Sequence, residues 1–358
     1  MLADKLEKPL YEPVIETQNL TVRFPVSNRI KLAYGGQKFI HAVNQINLEV
    51  ERGEIVSIVG ESGSGKTTLS RTIAGLVKPT SGTVKVDGEI VDYRKSKDLK
   101  KLWKKLQMIF QDPYSTFNPL TSVFESIAIP LRKFGISTND ADLQHKIKEN
   151  IERVGLSYQE LQNEYPNRLS GGQKQRLSIA RALAVEPEVL IADEPVSMLD
   201  VSLRSGILDL LGDLNAKNGV TIIFITHDLA VAQCISNRIV VMFGGEIMEI
   251  GPAREVIHSP LHPYTQILMS ASPKLTGETD LPKNYEGSVR KVKFDFEGCR
   301  FYTNCPLGND LCTQKRPFLE KVGENHYVAC AVTCCQGDGS KPNLSDLFKV
   351  YKFYKTGS

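Results

Sequence analysis

The chain has 358 residues and 39.8 kDa, with 41% hydrophobic and 24% charged residues, which describes a globular protein with a real core and more than one minimal domain. Lys+Arg is 44 and Asp+Glu is 41, and the net charge of +3 is too small for a nucleic-acid coat or an acidic solvating chain. No apolar run can span a bilayer, and the opening MLADKLEKPLYEPVIE lacks the apolar stretch of a secretory signal, which disfavours an integral membrane protein and a secreted disulfide scaffold.

In chain order, residues 14–24 and 42–59 are rich in β-branched side chains and predict strands, with Gly53 as a turn. A short helix is predicted over 65–76, a strand pair at 83–91 around Asp87-Gly88, a basic helix at 97–105 and a short strand at 107–110. From about 120 to 185 helical spacing prevails, at Ser122–Lys133, Asp140–Val154 and Gly171–Val185. Alternation then resumes with VLIAD (189–193), a helix at 201–217, VTIIFIT (220–226), a helix at 228–235 and RIVVMF (238–243). Continuous apolar strands of this kind are covered on both faces. The expectation is one α/β domain over 14–257, interrupted by a helical subdomain at about 120–185. A smaller cysteine-rich unit is expected at 260–335, where Pro, Cys and polar residues dominate, and a poorly ordered tail at 336–358.

Gly60-Glu61-Ser62-Gly63-Ser64-Gly65-Lys66-Thr67 fits G-x-x-x-x-G-K-[ST] between a strand and a helix, the context a phosphate loop requires. Glycines let backbone N–H groups turn toward phosphate oxygens, and the helix N-terminus adds positive charge. Lys66 reaches the β- and γ-phosphates of ATP, Thr67 offers its hydroxyl to Mg²⁺, and Thr68 extends the cradle. The VLIAD strand ends in Asp193 and Glu194. Beside a phosphate loop, Asp193 is placed to hold Mg²⁺ and Glu194 to polarise the attacking water as a general base. Without Lys66, a solvated pair capping the next helix would be the better reading.

Between these motifs lies Leu169-Ser170-Gly171-Gly172-Gln173, running into KQRLSIARAL. This segment resembles the signature motif of ATP-binding cassette (ABC) ATPases. Other family marks follow in order: Gln111 in FQDP resembles the Q-loop glutamine, Ser197-Met198-Leu199-Asp200 the D-loop, and His227 in ITHDL the switch histidine. Met198 departs from the usual Ala. The resemblance covers about residues 14–257. It implies Glu194, His227 and Gln111 as catalytic, with Gln111 also meeting Mg²⁺. It implies that Ser170, Gly171, Gly172 and Gln173 close over the ATP of a second ATPase chain facing head to tail, and that Asp200 is the D-loop residue. An aromatic residue upstream of the phosphate loop stacks on adenine in the family; Phe39 is the best placed, with Tyr34 and Phe24 as alternatives.

FPV (24–26), HAVNQINL, MIFQDPYSTFNPLTSV (108–123) and HPYTQILMSASP (262–273) are similar to the ATPase subunits of dipeptide/oligopeptide importers. The resemblance implies an ATP hydrolase on the cytoplasmic side of the membrane that drives peptide uptake. Its implied partners are two transmembrane permeases, a second ATPase (a paralogue) and an extracytoplasmic substrate-binding protein, with no nucleic acid. Oligosaccharide and metal-chelate importers share this ATPase type and stay open as alternatives. A soluble non-transport ABC ATPase ranks lower, because the chain has one cassette and no long coiled-coil insert. The expected contact with the permease is the stretch Tyr114–Val123, with Phe117 and Leu120 lining a groove.

Six of the seven cysteines follow residue 298. Cys299-x5-Cys305-x6-Cys312-x17-Cys330 lacks the C-x2-C knuckles of zinc ribbons, and four thiolates suit zinc or an iron–sulfur cluster on ligand chemistry alone. Disulfides or free thiols are the remaining reading. The importer resemblance favours a [4Fe-4S] cluster on Cys299, Cys305, Cys312 and Cys330, with Arg300 and Arg316 suited to an anionic cluster. Cys234 reads as a small buried hydrophobe within a helix. Cys334 and Cys335 fall outside the four-ligand pattern.

Overall fold

The computed structural model describes residues 13–26, 38–271 and 296–335; Tyr34 and the tail 336–358 lie outside them. The chain opens with strands β1 (Ile15–Pro25), β2 (Phe39–Val50) and β3 (Ile55–Val59), then α1 (Lys66–Ile73). Next come β4 (Ser81–Val86), β5 (Glu89–Ile90), α2 (Ser96–Lys105) and β6 (Leu106–Ile109). The helical insert is α3 (Val123–Lys133), α4 (Asp140–Arg153), α5 (Tyr158–Leu161) and α6 (Gly171–Leu183). Alternation returns with β7 (Val189–Asp193), α7 (Val201–Asn218), β8 (Thr221–Thr226), α8 (Leu229–Ile235) and β9 (Arg238–Phe243). The remainder is β10 (Glu246–Pro252), α9 (Ala253–His258), α10 (Pro263–Ala271), α11 (Leu311–Gln314), β11 (Glu320–Gly323), β12 (His326–Val328) and α12 (Ala331–Cys335).

Local signals start the insert helices where the sequence places them. The Ser122 hydroxyl accepts the Glu125 N–H at 3.1 Å and the Asn139 side chain accepts the Asp142 N–H at 2.9 Å. Each such cap contributes about 1 kcal/mol.

An antiparallel sheet runs β2-β1-β4-β5, and a second sheet runs β11-β12-β10-β9-β3-β8-β7-β6. Within the second, β9, β3, β8, β7 and β6 are parallel. Their residues are buried almost throughout, which accounts for the unbroken apolar runs. One core cluster lies between the two sheets and includes Leu20, Ile46, Ile58, Leu69 and Val84. A second joins the insert to the opposite sheet face through Ile127, Ile147, Leu177, Leu190 and Phe224.

The segment after 260 adds β11 and β12 to the edge of the second sheet, where β12 pairs antiparallel with β10. Cys299, Phe301 and Cys312 share a third core cluster with Val241, Phe243 and Tyr264. The cysteine-rich segment therefore takes its apolar support from the same core as the α/β strands, which a segment so poor in apolar runs needs.

Two readings of single residues are corrected. Cys234 is exposed, because α8 buries Leu229 and Ala232 and turns Cys234 to the other face. Phe117 is buried in the insert core under the Arg181 guanidinium, 4.4 Å from its ring, and cannot line a groove; Leu120 is 86% exposed.

Candidate functional site

Four adjacent strands, in the order β3, β8, β7, β6, deliver the predicted site residues from their C-terminal ends. That is where open α/β sheets bind ligands. The end of β3 turns through Gly60 into the phosphate loop. A Cβ on Gly65, at φ 105°, would stand 2.1 Å from the Ala42 carbonyl oxygen, and one on Gly60 would stand 2.2 Å from that of Met242. Only glycine lets the loop press this closely on β2 and β9.

Gly65 caps α1 without a side-chain bond, and the first turn holds no acidic residue. The N–H groups of Lys66, Thr67 and Thr68 have no intrahelical acceptor, so the positive end of the helix is open to an anion. Lys66 is buried, and its Nζ donates to the carbonyls of Gly60 at 2.6 Å and Glu61 at 2.9 Å. Burial lowers the Lys66 pKa, opposed by the charges of Glu194, Asp193 and Glu61. Ser62 and Gly63 form the exposed tip of the loop, and Ser64 is buried beneath it.

Asp193 ends β7, buried, and accepts the Thr67 hydroxyl at 3.3 Å. Burial raises its pKa, and the Glu194 charge adds to that, while the Thr67 bond works the other way. Glu194 adopts φ 47°, the left-handed region, with its N–H donated to Ile225 of β8 at 2.9 Å. A non-glycine residue held there is strained, a condition found at functional sites. The Glu194 carboxylate accepts the Gln111 amide at 3.1 Å and lies 3.3 Å from His227 Nδ1. Gln111 follows β6 and His227 follows β8. Three predicted residues from three strands thus meet on one carboxylate oxygen.

Ser170 to Gln173 form a complete capping box at the start of α6. The Ser170 hydroxyl accepts the Gln173 N–H at 3.3 Å, and the Gln173 side chain accepts the Ser170 N–H at 2.9 Å. A Cβ on Gly171 would stand 3.1 Å from the Tyr114 hydroxyl, and one on Gly172 would stand 3.1 Å from Leu203. Asp200 is exposed at the N-cap of α7, beside the exposed Met198. Phe39 opens β2 opposite Pro25, exposed, three residues before the Ala42 carbonyl that abuts Gly65; Phe24 is also exposed.

Cys299, Cys312 and Cys330 are buried, Cys305 is half-buried, and none is in a disulfide. Burial pushes the Cys299 thiol up to about 12, with the nearby Cys312 and Cys330 thiols adding to the rise. Burial also pushes Cys305 up, again with the other three thiols adding. Among the described residues, however, no three His, Cys, Asp or Glu side chains are grouped to hold a single metal ion. Arg300 and Arg316 do not serve the cysteines as the sequence suggested: each Nε lies 3.1 Å from Glu246 of β10, whose buried charge they neutralise.

Sequence reasoning missed the supports behind the phosphate loop. The Glu61 N–H donates to the Tyr264 hydroxyl at 3.1 Å, and the Gly245 N–H donates to Ser64 O at 2.8 Å. The one signal was the HPYTQIL segment, read only as a family likeness.

The sequence matches the ABC transporter family model over residues 43–197 and the model of the oligopeptide/dipeptide transporter C-terminal region over 248–312. It is 40% identical over 322 residues to the oligopeptide transport ATP-binding protein OppF of Salmonella typhimurium, covering 88% of this chain and 95% of that one. The OppF of Escherichia coli is equally similar, 40% identical with the same coverage. Among solved structures, a dimeric ATP-binding cassette in a post-hydrolysis state bound to ADP and Pi superposes with a TM-score of 0.60. That structure is 32% identical and covers 67% of this chain and 99% of its own.

Proposed function

This chain belongs to the ABC transporter family, among the ATP-binding proteins of oligopeptide transport, and from that premise we propose that it hydrolyses ATP to drive peptide import through separate permeases. The observation that carries the reading is the meeting of Gln111, Glu194 and His227 beside the Thr67–Asp193 pair.

The phosphate loop, Gly60 to Thr68, and Lys66 bind the ATP phosphates. Phe39 stacks on adenine. The Thr67 hydroxyl, the Asp193 carboxylate and the Gln111 amide oxygen are hard donors that would hold Mg²⁺, and the ion would supply positive charge beside the β- and γ-phosphates. Glu194 takes the proton of the attacking water as its oxygen bonds to the γ-phosphorus and the bond to ADP breaks. His227 fixes that water and Gln111 reports the γ-phosphate to the insert. Ser170 to Gln173 and Asp200 act on the ATP of a second, paralogous ATPase.

Among the described residues no helix is long and apolar enough to cross a membrane. The chain works from the cytoplasmic face, docked on two permeases that receive peptide from a binding protein. Tyr114 and Leu120 are exposed, and Leu76, Trp103, Met108, Phe110 and Phe134 line a 300 Å³ cleft between the sheet and the insert, suited to an apolar helix of the permease. With the assembled transporter, peptide-loaded binding protein is expected to raise ATP turnover several-fold, and a cysteine at Ser115 to cross-link the permease in an ATP-sensitive way. Turnover indifferent to peptide, with no cross-link in the intact complex, overturns the importer reading.

Cys299, Cys305, Cys312 and Cys330 fold as the C-terminal unit around one structural [4Fe-4S] cluster. The reading rests on the importer resemblance and on the burial of Cys299, Cys312 and Cys330, with Cys305 half-buried. Protein purified without oxygen is expected to carry about four irons with matching sulfide. Cys305→Ser is expected to lose the iron and lower the melting temperature while ATP still binds. Zinc without sulfide in wild-type protein overturns the assignment.

A further inference from the structure

Tyr264 is completely buried and lies 37 residues beyond His227, yet its hydroxyl meets the phosphate loop. It accepts the backbone N–H of Glu61 at 3.1 Å, the first residue after the Gly60 turn. Its ring is wedged between Phe243, at the end of β9, with centroids 4.8 Å apart, and Phe301, 5.2 Å away. Phe301 lies between Cys299 and Cys305, is itself fully buried, and also meets the Phe243 ring edge-on at 5.2 Å. A second tie runs parallel to this one. Arg300 donates to the carbonyl of Gly244, and the next residue, Gly245, donates its N–H to Ser64 O at 2.8 Å.

We propose that Tyr264 is a positioning residue for the phosphate loop, and that the Cys299–Cys305 segment bears on nucleotide affinity through it. The inference rests on the ATP-site reading above. The loop's tip, Ser62 and Gly63, is exposed, so its shape depends on how its two ends are held. Tyr264 holds the entry at Glu61 and the Gly245 amide holds the exit at Ser64. A loop released at its entry samples turns in which the amides no longer converge on phosphate. The apparent affinity then falls by the fraction of time the binding turn is formed. The packing that keeps Tyr264 in reach comes from Phe301, so a change in the cysteine segment reaches ATP without touching it.

The test is equilibrium ATP binding to the full chain at low temperature, with melting temperature measured alongside. Tyr264→Phe keeps the ring and removes only the hydroxyl. It is expected to weaken ATP binding by about tenfold, the size of one lost hydrogen bond with its buried partner left unpaired. In the assembled transporter the same variant raises KM for ATP by a similar factor and leaves kcat within twofold. Phe301→Leu is expected to weaken ATP binding too, and the double variant by less than the product of the two, since both act through one bond. Unchanged ATP affinity in Tyr264→Phe, with or without a lower melting temperature, overturns the proposal and reduces Tyr264 to packing. Failure of the wild-type chain to bind ATP at all would instead strike the ATP-site reading.

Discussion

Glu194→Gln is expected to cut steady-state ATP turnover by about 100-fold or more while ATP still binds, the usual worth of a positioned general base. The amide fills the same volume and can still meet Gln111 and His227, which lie 3.1 and 3.3 Å from the native carboxylate. It cannot take the proton of water. ATP that binds and is not hydrolysed is expected to hold this chain closed on its partner ATPase, so the variant mixed with that partner accumulates as an ATP-dependent dimer. Lys66→Ala acts differently, weakening binding itself by removing the buried ammonium. Size-exclusion chromatography with and without ATP, beside a phosphate-release assay, separates the two. Turnover unchanged in Glu194→Gln removes Glu194 from the chemistry.

Acid is expected to cost the folded chain about 3 kcal/mol through His262 alone. His262 is buried, and its Nδ1 accepts the Tyr264 N–H at 3.0 Å, a contact available only to an unprotonated nitrogen. Burial holds its pKa down at about 4, against an ordinary 6.5, and the Glu249 charge opposes the shift only in part. The unfolded chain therefore takes up a proton that the folded chain refuses. Stability contributed by the neutral ring is complete above about pH 6.5 and is lost as pH falls toward 4. Urea unfolding at pH 7 and pH 4.5 measures the loss. In His262→Asn, whose amide oxygen can accept the same N–H and does not titrate, the acid loss should shrink. An equal loss in both proteins would remove His262 as its source.

The parallel strands and the insert helices were legible because their signals are local. VLIAD and VTIIFIT are apolar throughout, and Ser122, Asn139 and Ser170 each satisfy an N–H within three residues. Part of the candidate site was legible for a related reason: Asp193 and Glu194 end β7, and the phosphate loop and His227 directly follow β3 and β8. β10 was not legible, because it carries Glu246 and Glu249, both buried. Their partners, Arg300 and Arg316 for Glu246 and His326 for Glu249, come from more than fifty residues away, so no window of sequence shows that the carboxylates are paired. β11 and β12, four and three residues long, are too short to carry a period. The Tyr264 bond to Glu61 spans 203 residues and has no local trace.

The pairing of β12 with β10 has a consequence for synthesis of the chain. Until residue 328 has left the ribosome, β10 is an open edge, with unpaired N–H and C=O groups along one side. Its buried carboxylates, Glu246 and Glu249, then lack the basic side chains that will cover them. Inward-pointing charge on an open edge discourages strands of other chains from adding to it. The same two glutamates that anchor the finished C-terminal segment thus guard the nascent cassette against aggregation while it waits for that segment to arrive.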